Sequence, residues 1–253
     1  MKVYLNEVTG IADAITSMFM SKRTWTRELE NDIRRICNLC LKTNGEYIPL
    51  RQCGDCTNCL NDCKADYETF NNWMTKLIKW GTKHITMLRY IDFSITVKGL
   101  HRAGQDDVDS HSMRFNNRII RSSTRLATYG NEMSEWYKEK IIPTDTALGI
   151  LDHTHALPES IEHNGKTYVK TINGYIEESL KDDKDAKRGL YMLSIPSNFI
   201  FKVNLTEWSH VYKERNINSG ANPEVKQCCE MIADEIERFQ PLFNRDLFAK
   251  IKN

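Results

Sequence analysis

Residues 86–98 read TMLRYIDFSITVK, and the alternation of apolar with polar side chains, together with the β-branched content, predicts a strand. On its N-terminal side, residues 66–81 carry apolar positions at helical spacing (Tyr67, Phe70, Trp73, Met74, Leu77, Ile78, Trp80) and end at Gly81, a C-cap residue. Residues 11–36 repeat that period at Ile11, Ala14, Ile15, Met18 and Phe19, then Leu29, Ile33 and Ile36, so one or two helices open the chain. Downstream, residues 131–142 have a helical pattern. SIEHNGKTYVKTI at 160–172 predicts a hairpin turning at Asn164-Gly165. The charged run DDKDAKR precedes the β-rich stretch LYMLSIPSNFIFKVN. Helices are predicted at 205–214 and 223–240, the second with Val225, Met231, Ile232, Ile236 and Phe239 as its apolar stripe. The fold class is therefore α+β, a central, mainly antiparallel sheet flanked by helices.

The 253 residues give room for one large domain or two small ones, at roughly 100–200 residues each. We expect a single domain over 1–253, with a Cys-rich insertion at about 37–64. Composition is 40% hydrophobic and 27% charged, which excludes a disordered or fibrous chain. Thirty-five Lys plus Arg against 34 Asp plus Glu leave a net charge of +1, too balanced for a general nucleic-acid or membrane-surface binder. No stretch approaches the roughly 20 apolar residues of a membrane helix, and MKVYLNEVTG lacks a signal-peptide core. A soluble, cytoplasmic protein is expected.

Cysteine usage is abnormal. Six of the eight cysteines lie between Cys37 and Cys63, and Cys228 and Cys229 lie far downstream on the last predicted helix. The 37–63 segment is rich in Asn, Gly and Asp and weakly periodic, which reads as a loop-like insertion. In a reducing compartment, clustered cysteines read first as metal ligands. Cys37-x2-Cys40 and Cys53-x2-Cys56 have the two-knuckle spacing of a zinc ribbon, in which four thiolates meet one ion at about 2.3 Å. Cys53, Cys56, Cys59 and Cys63 also repeat ferredoxin-type cluster spacing, with Lys64 where proline usually follows. Thiols without metal are the third reading. Structural zinc on Cys37, Cys40, Cys53 and Cys56 is the expectation; it would stabilise a polar insert without explaining an activity.

Residues 101–125 read HRAGQDDVDSHSMRFNNRIIRSSTR. A solvated charged face is the plain reading of such a run. Here, however, the arginines alternate with Ser, Thr and Asn rather than with matching Glu. Forked donors among hydroxyls suit phosphates and planar polar rings, so a focused anion pocket fits better than a nucleic-acid surface.

At this point the sequence resembles the flavin-dependent thymidylate synthases. KHITMLRYIDFSI is similar to the family segment that runs from a Gly-His pair through a Thr into an aromatic strand, with His84, Thr86 and Phe93 on the matching positions. Arg121-Ser122-Ser123-Thr124-Arg125 resembles the end of the family signature, where a Ser-x-Arg follows an Arg-His-Arg. Arg188, Asn204 and Arg215 keep the family spacing Arg-x15-Asn-x10-Arg, and Ala221-Asn222-Pro223-Glu224-Val225 opens the last helix much as the family does. The resemblance covers roughly 5–40 and 65–245. The Arg-His-Arg is not intact: His111 takes the central place between serines, and Arg114, Arg118 or Arg121 restores the charge from a shifted position.

The resemblance implies reductive methylation of dUMP to dTMP with FAD, NADPH and methylenetetrahydrofolate, without a cysteine nucleophile. It assigns Arg215 to the uracil edge, where a planar cation stabilises the charge that develops as C5 turns nucleophilic. It assigns Arg121, Ser123, Thr124, Arg125, Arg188 and Arg215 to dUMP. His84, Thr86, His111, Arg114, Asn204, Thr206 and His210 are assigned to the flavin. It also implies a homotetramer with shared active sites. Two alternatives stand beside this reading. One is a flavin- and folate-dependent pyrimidine nucleotide hydroxymethylase on the same scaffold, in which hydride delivery is lost. The other is a zinc-ribbon interaction module.

Overall fold

The structure is a computed structural model, and it describes residues 1–42, 57–110, 118–121, 135, 158–171, 174–182, 195–218 and 222–251. Its strands are β1 (Lys2–Thr9), β2 (Asp92–His101), β3 (Arg118–Arg121), β4 (Ser160–His163), β5 (Lys166–Thr171), β6 (Gly174–Glu177) and β7 (Pro196–Asn204). Its helices are α1 (Ile11–Ser21), α2 (Arg27–Lys42), α3 (Thr57–Gly81), α4 (Arg102–Ser110), α5 (Leu205–Tyr212), α6 (Pro223–Phe239) and α7 (Arg245–Lys250). One sheet has the order β1-β2-β7-β3 and a second, antiparallel, the order β4-β5-β6. The α+β class holds. No helix among the described residues is long and apolar enough to cross a membrane.

Two compact units divide the chain: Met1–Lys2, Val97–Asp107 and Ile120–Phe199 in one, Val3–Thr96, Val108–Ile119 and Ile200–Asn253 in the other. The first contains the β4-β5-β6 sheet. Asn164 (φ 51) and Gly165 (φ 74) turn the β4–β5 hairpin with positive φ at both central residues, as a two-residue loop requires. The predicted hairpin is therefore present, and it gains a third strand, β6. The second unit holds α1, α2, α3, α5, α6 and α7 around a core of Phe70, Phe93, Phe201, Trp208, Phe243 and Phe248. Phe248 meets both Trp208 and Tyr212 edge-on, and Phe93 meets Phe243 at 5.9 Å.

Two expectations change. The stretch 86–98 is not a strand throughout: Ile85–Tyr90 is a 3-10 helix, and the strand begins at Asp92. Met87 and Leu88, adjacent in sequence, are both buried, which two successive residues of a one-sided strand do not achieve. Cys37–Cys63 is not a loop at either end. Helix α2 runs through Cys37 and Cys40, which are buried, and α3 begins before Cys59. The predicted helix at 131–142 lies outside the described residues save Glu135.

Candidate functional site

Strand β7 ends where Asn204 caps α5. The Asn204 Oδ1 accepts from the Thr206 N–H at 3.0 Å, the Glu207 N–H at 3.0 Å and the Thr206 hydroxyl at 2.6 Å. That occupies the side-chain oxygen and satisfies two of the orphan donors of the first turn. The Asn204 amide nitrogen is the group that remains for a ligand. Thr206 and His210 lie one helical turn apart on one face of α5. Asn204, Thr206 and Glu207 are buried, and His210 is half-buried.

The start of α5 is fixed to a second predicted segment. The Leu205 N–H donates to the Ile91 carbonyl at 2.8 Å, directly after the 3-10 helix that begins beyond His84 and includes Thr86. That helix packs on α1, α3 and α5. Its far end rests on Gly10 (φ 81), where an added Cβ would stand 1.6 Å from the Tyr90 carbonyl oxygen, so only glycine fits the approach. The His84 ring lies 5.9 Å from that of Trp80, tilted by 39°, and Lys22 lies 3.8 Å above the same indole. Both His84 and Thr86 are exposed.

Beyond α5 the backbone widens into a π-helix over Lys213–Ile217, closed by the Asn218 N–H on the Lys213 carbonyl at 2.8 Å. Single π turns of this kind recur at functional sites. Arg215 sits in its centre, half-buried. The neighbouring positions are fixed from α6: Tyr212 donates to Glu230 at 3.1 Å, Asn216 donates to the same carboxylate, and Arg245 holds it from behind at 2.9 Å. Burial, then the Glu230 carboxylate, pushes the Tyr212 phenol up to about 12. Burial pushes the Cys229 thiol on α6 up to about 12, and the Arg215 charge opposes that rise.

In the other unit, Arg121 pairs with Asp106 of α4, and the Arg102 N–H donates to the Ile195 carbonyl at 3.0 Å. The pairing engages part of a guanidinium expected to serve a phosphate. His111, Arg114, Ser123, Thr124, Arg125, Arg188, Cys53 and Cys56 lie outside the described residues. Of the predicted set, then, the structure brings the 84–91 segment and the helix of Asn204, Thr206 and His210 into contact, and continues that helix into the turn of Arg215.

Buried polar residues outside the predicted site set include two carboxylates and an amide. Glu207 and Glu224 are carboxylates in the first turns of α5 and α6, and Gln105 on α4 is fully buried. Gln105 was legible in principle, as a polar residue on the apolar stripe shared with His101 and Val108.

The family model described as Thymidylate synthase complementing protein (Thy1) matches residues 23–242. Comparison with curated proteins gives no match. Among solved structures, the chain is similar to thymidylate synthase X (ThyX) of Helicobacter pylori with FAD and dUMP, at 12% identity and a TM-score of 0.54, covering 98% of this chain and 100% of that one. A second structure of the Helicobacter pylori enzyme, also complexed with FAD and dUMP, gives 11% identity and a TM-score of 0.52 over 100% of both chains. A UMP/dUMP methylase, PolB from Streptomyces cacaoi, bound with 5-Br dUMP, gives 10% identity and a TM-score of 0.50, covering 98% of this chain and 93% of that one. At these identities the structural likeness establishes the fold.

Proposed function

The chain belongs to the Thy1 family, the flavin-dependent thymidylate synthases, and from that premise we propose that it converts dUMP to dTMP by reductive methylation, with FAD bound and with NADPH and methylenetetrahydrofolate as co-substrates. The observation that carries this reading is the continuous path from the Asn204 cap through α5 into the π turn of Arg215, held against the 84–91 segment. FAD fits these residues: Asn204 keeps an amide N–H2 donor after capping, Thr86 and His84 are exposed on the segment whose end, Ile91, meets the start of α5, and His210 follows Thr206 on one face. Bound FAD supplies the hydride that completes the methyl group. Everything else falls to the chain.

Arg215 is read as the group that holds the uracil edge. Its planar fork lies in the ring plane and stabilises the negative charge that develops on the pyrimidine as C5 attacks the one-carbon unit. The π turn matters because it presents this arginine from a rigid frame in which Glu230 fixes Tyr212 and Asn216 on either side. Arg121, Ser123, Thr124, Arg125 and Arg188 are read as the dUMP phosphate and sugar donors. His111 and Arg114 are read as further flavin contacts. No cysteine is assigned to the chemistry: Cys228 and Cys229 are buried on α6, and burial holds both thiols in the protonated form.

We read the whole chain as one catalytic domain that works as a homotetramer with shared sites, in the cytoplasm, with structural zinc in its cysteine-rich segment. Hydroxymethylation is the second reading, favoured by the serines that flank His111 in place of arginines. Product analysis on dUMP and dCMP, with and without NADPH, separates the two. A methylated product that requires NADPH supports the first, and a hydroxymethylated product that forms without it supports the second.

A further inference from the structure

The π turn of Lys213–Ile217 is braced by helices α6 and α7, and every residue of that brace lies in one compact unit. On α6, Glu230, Asp234 and Glu237 follow intervals of four and three, so three carboxylates share one helix face. Like charges in that arrangement repel, and here they converge on one guanidinium. Arg245 opens α7 and gives each of its three nitrogens to a different carboxylate: Nε to Glu230 at 2.9 Å, Nη1 to Glu237 at 2.6 Å and Nη2 to Asp234. The fork is itself seated by α7. Asn244 caps that helix by accepting the Leu247 N–H at 3.0 Å, and Phe248 packs edge-on against Trp208 and Tyr212.

Glu230 is the carboxylate that reaches the turn. Its Oε2 takes the Arg245 bond, while its Oε1 accepts from the Tyr212 hydroxyl at 3.1 Å and from the Asn216 amide. Tyr212 stands just before the π turn, and Asn216 follows Arg215 within it. A second strut starts at Lys213, whose ammonium donates to the Ile251 carbonyl just beyond α7. The turn is thereby tied at two places to residues 245–251. Arg245 and Glu230 are each 38% exposed, and ion pairs at that exposure add little stability. What the brace can supply is geometry, since a displacement of about 1 Å at a reacting group costs rate steeply.

We propose that Arg245 is a positioning residue for Arg215: by holding Glu230 it fixes Tyr212 and Asn216, and with them the orientation from which Arg215 meets the uracil edge. This rests on the reading of Arg215 as a dUMP-binding arginine, and it adds α7 to the frame of that site. Without the guanidinium, three carboxylates face one another on α6. Glu230 then turns toward solvent and releases both of its donors from the turn.

The test is a double-mutant cycle on dUMP binding to the FAD-loaded, full-length protein, read by calorimetry. Arg245→Gln is combined with Arg215→Ala, and Glu237→Gln is the control, since it removes an Arg245 partner that does not bond the turn. Arg245→Gln should weaken dUMP binding about tenfold where Arg215 is present and less than about twofold where it is alanine, the non-additivity of residues that act through one another. Arg245→Lys keeps a cation among the carboxylates and should recover part of the loss. Glu237→Gln should bind dUMP as the wild type does. Where binding to Arg215→Ala is too weak to titrate, kcat/KM on dUMP supplies the same cycle. Should Arg245→Gln fail to fold, Glu230→Gln takes its place, because an amide N–H2 cannot accept from Arg245. An equal loss in both backgrounds, or none in either, overturns the positioning role and leaves the reading of Arg215 standing. Wild type and Arg215→Ala binding dUMP equally well, or neither binding it, overturns that reading and the proposal with it.

Discussion

The backbone N–H of Leu205 donates to the carbonyl of Ile91 at 2.8 Å, joining two stretches more than a hundred residues apart in sequence. Leu205 follows the residue that caps α5, and Ile91 closes the 3-10 helix that includes Thr86. A single bond thus sets the entry of one flavin-assigned segment against the exit of the other. Changes on either side should be felt as altered flavin affinity before they are felt as lost chemistry.

Asn204 has two roles that separate by substitution. Asn204→Ala removes the acceptor of two helix N–H groups and should cost roughly 1–3 kcal/mol of stability as well as weakening FAD binding. Asn204→Asp retains the acceptor and favours the helix dipole, so stability should stay near wild type while FAD binding still weakens for want of the amide donor. Thermal unfolding and FAD titration on the two variants check both halves. Equal FAD affinity in wild type and Asn204→Asp would leave the residue as a cap alone.

Gly10→Ala should disturb the seat of the 3-10 helix, because its Cβ would collide with the Tyr90 carbonyl at a positive φ. The expected result is a stability loss of about 1–3 kcal/mol together with weaker FAD binding. Gly165→Ala is the control. It carries a similar φ of 74 in the β4–β5 turn, but its Cβ would meet nothing within 4 Å, so it should lose about 1–2 kcal/mol with FAD affinity unchanged.

Alkaline pH should destabilise the protein through α6. Burial raises the Cys229 thiol from an ordinary 9.0 to about 12, and raises Cys228 as well. A group whose folded pKa exceeds its unfolded one stabilises fully below the unfolded value and loses that contribution as pH climbs toward the folded value. Stability should therefore hold below about pH 9 and fall between 9 and 12 through Cys229, by up to about 1.4 kcal/mol per pH unit, with Cys228 acting in the same direction. Urea unfolding midpoints across that window check this, and Cys229→Ser should flatten the slope.

Arg215→Ala should keep FAD and lose dUMP-dependent turnover by about 10²–10³-fold, the scale for removing one preorganised donor from developing charge. Arg215→Lys should recover little, since an ammonium cannot reproduce a planar fork. Bound-flavin absorbance and turnover on dUMP are the two readouts. Turnover that survives the alanine change would reject the assigned role.

The sequence made some of this architecture legible and hid the rest for identifiable reasons. Asn164-Gly165 announces its hairpin because two adjacent positive φ values leave few other residues. The Asn204 cap is local chemistry, settled by two residues downstream, and needs no long-range contact to form. The 3-10 helix at 85–90 was hidden because an isolated alternation of apolar residues looks alike in a strand and in a turn wedged between three helices. Helix α7 is six residues long and carries too little periodicity to be seen. The π turn depends on Glu230, a side chain on another helix, and no local pattern reports it. The end of α2 was hidden because the Asn-, Gly- and Asp-rich sequence around Cys37 and Cys40 reads as a loop-like insertion, whereas both thiols extend the helix's apolar stripe.

The most direct test of the central claim is release of tritium from dUMP labelled at C5, measured with purified protein, FAD, NADPH and methylenetetrahydrofolate. The expected result is a yellow protein that releases tritium only with FAD present and yields labelled thymidylate when the one-carbon carbon carries the label instead. A colourless protein indifferent to added FAD, with no release from C5, would contradict it.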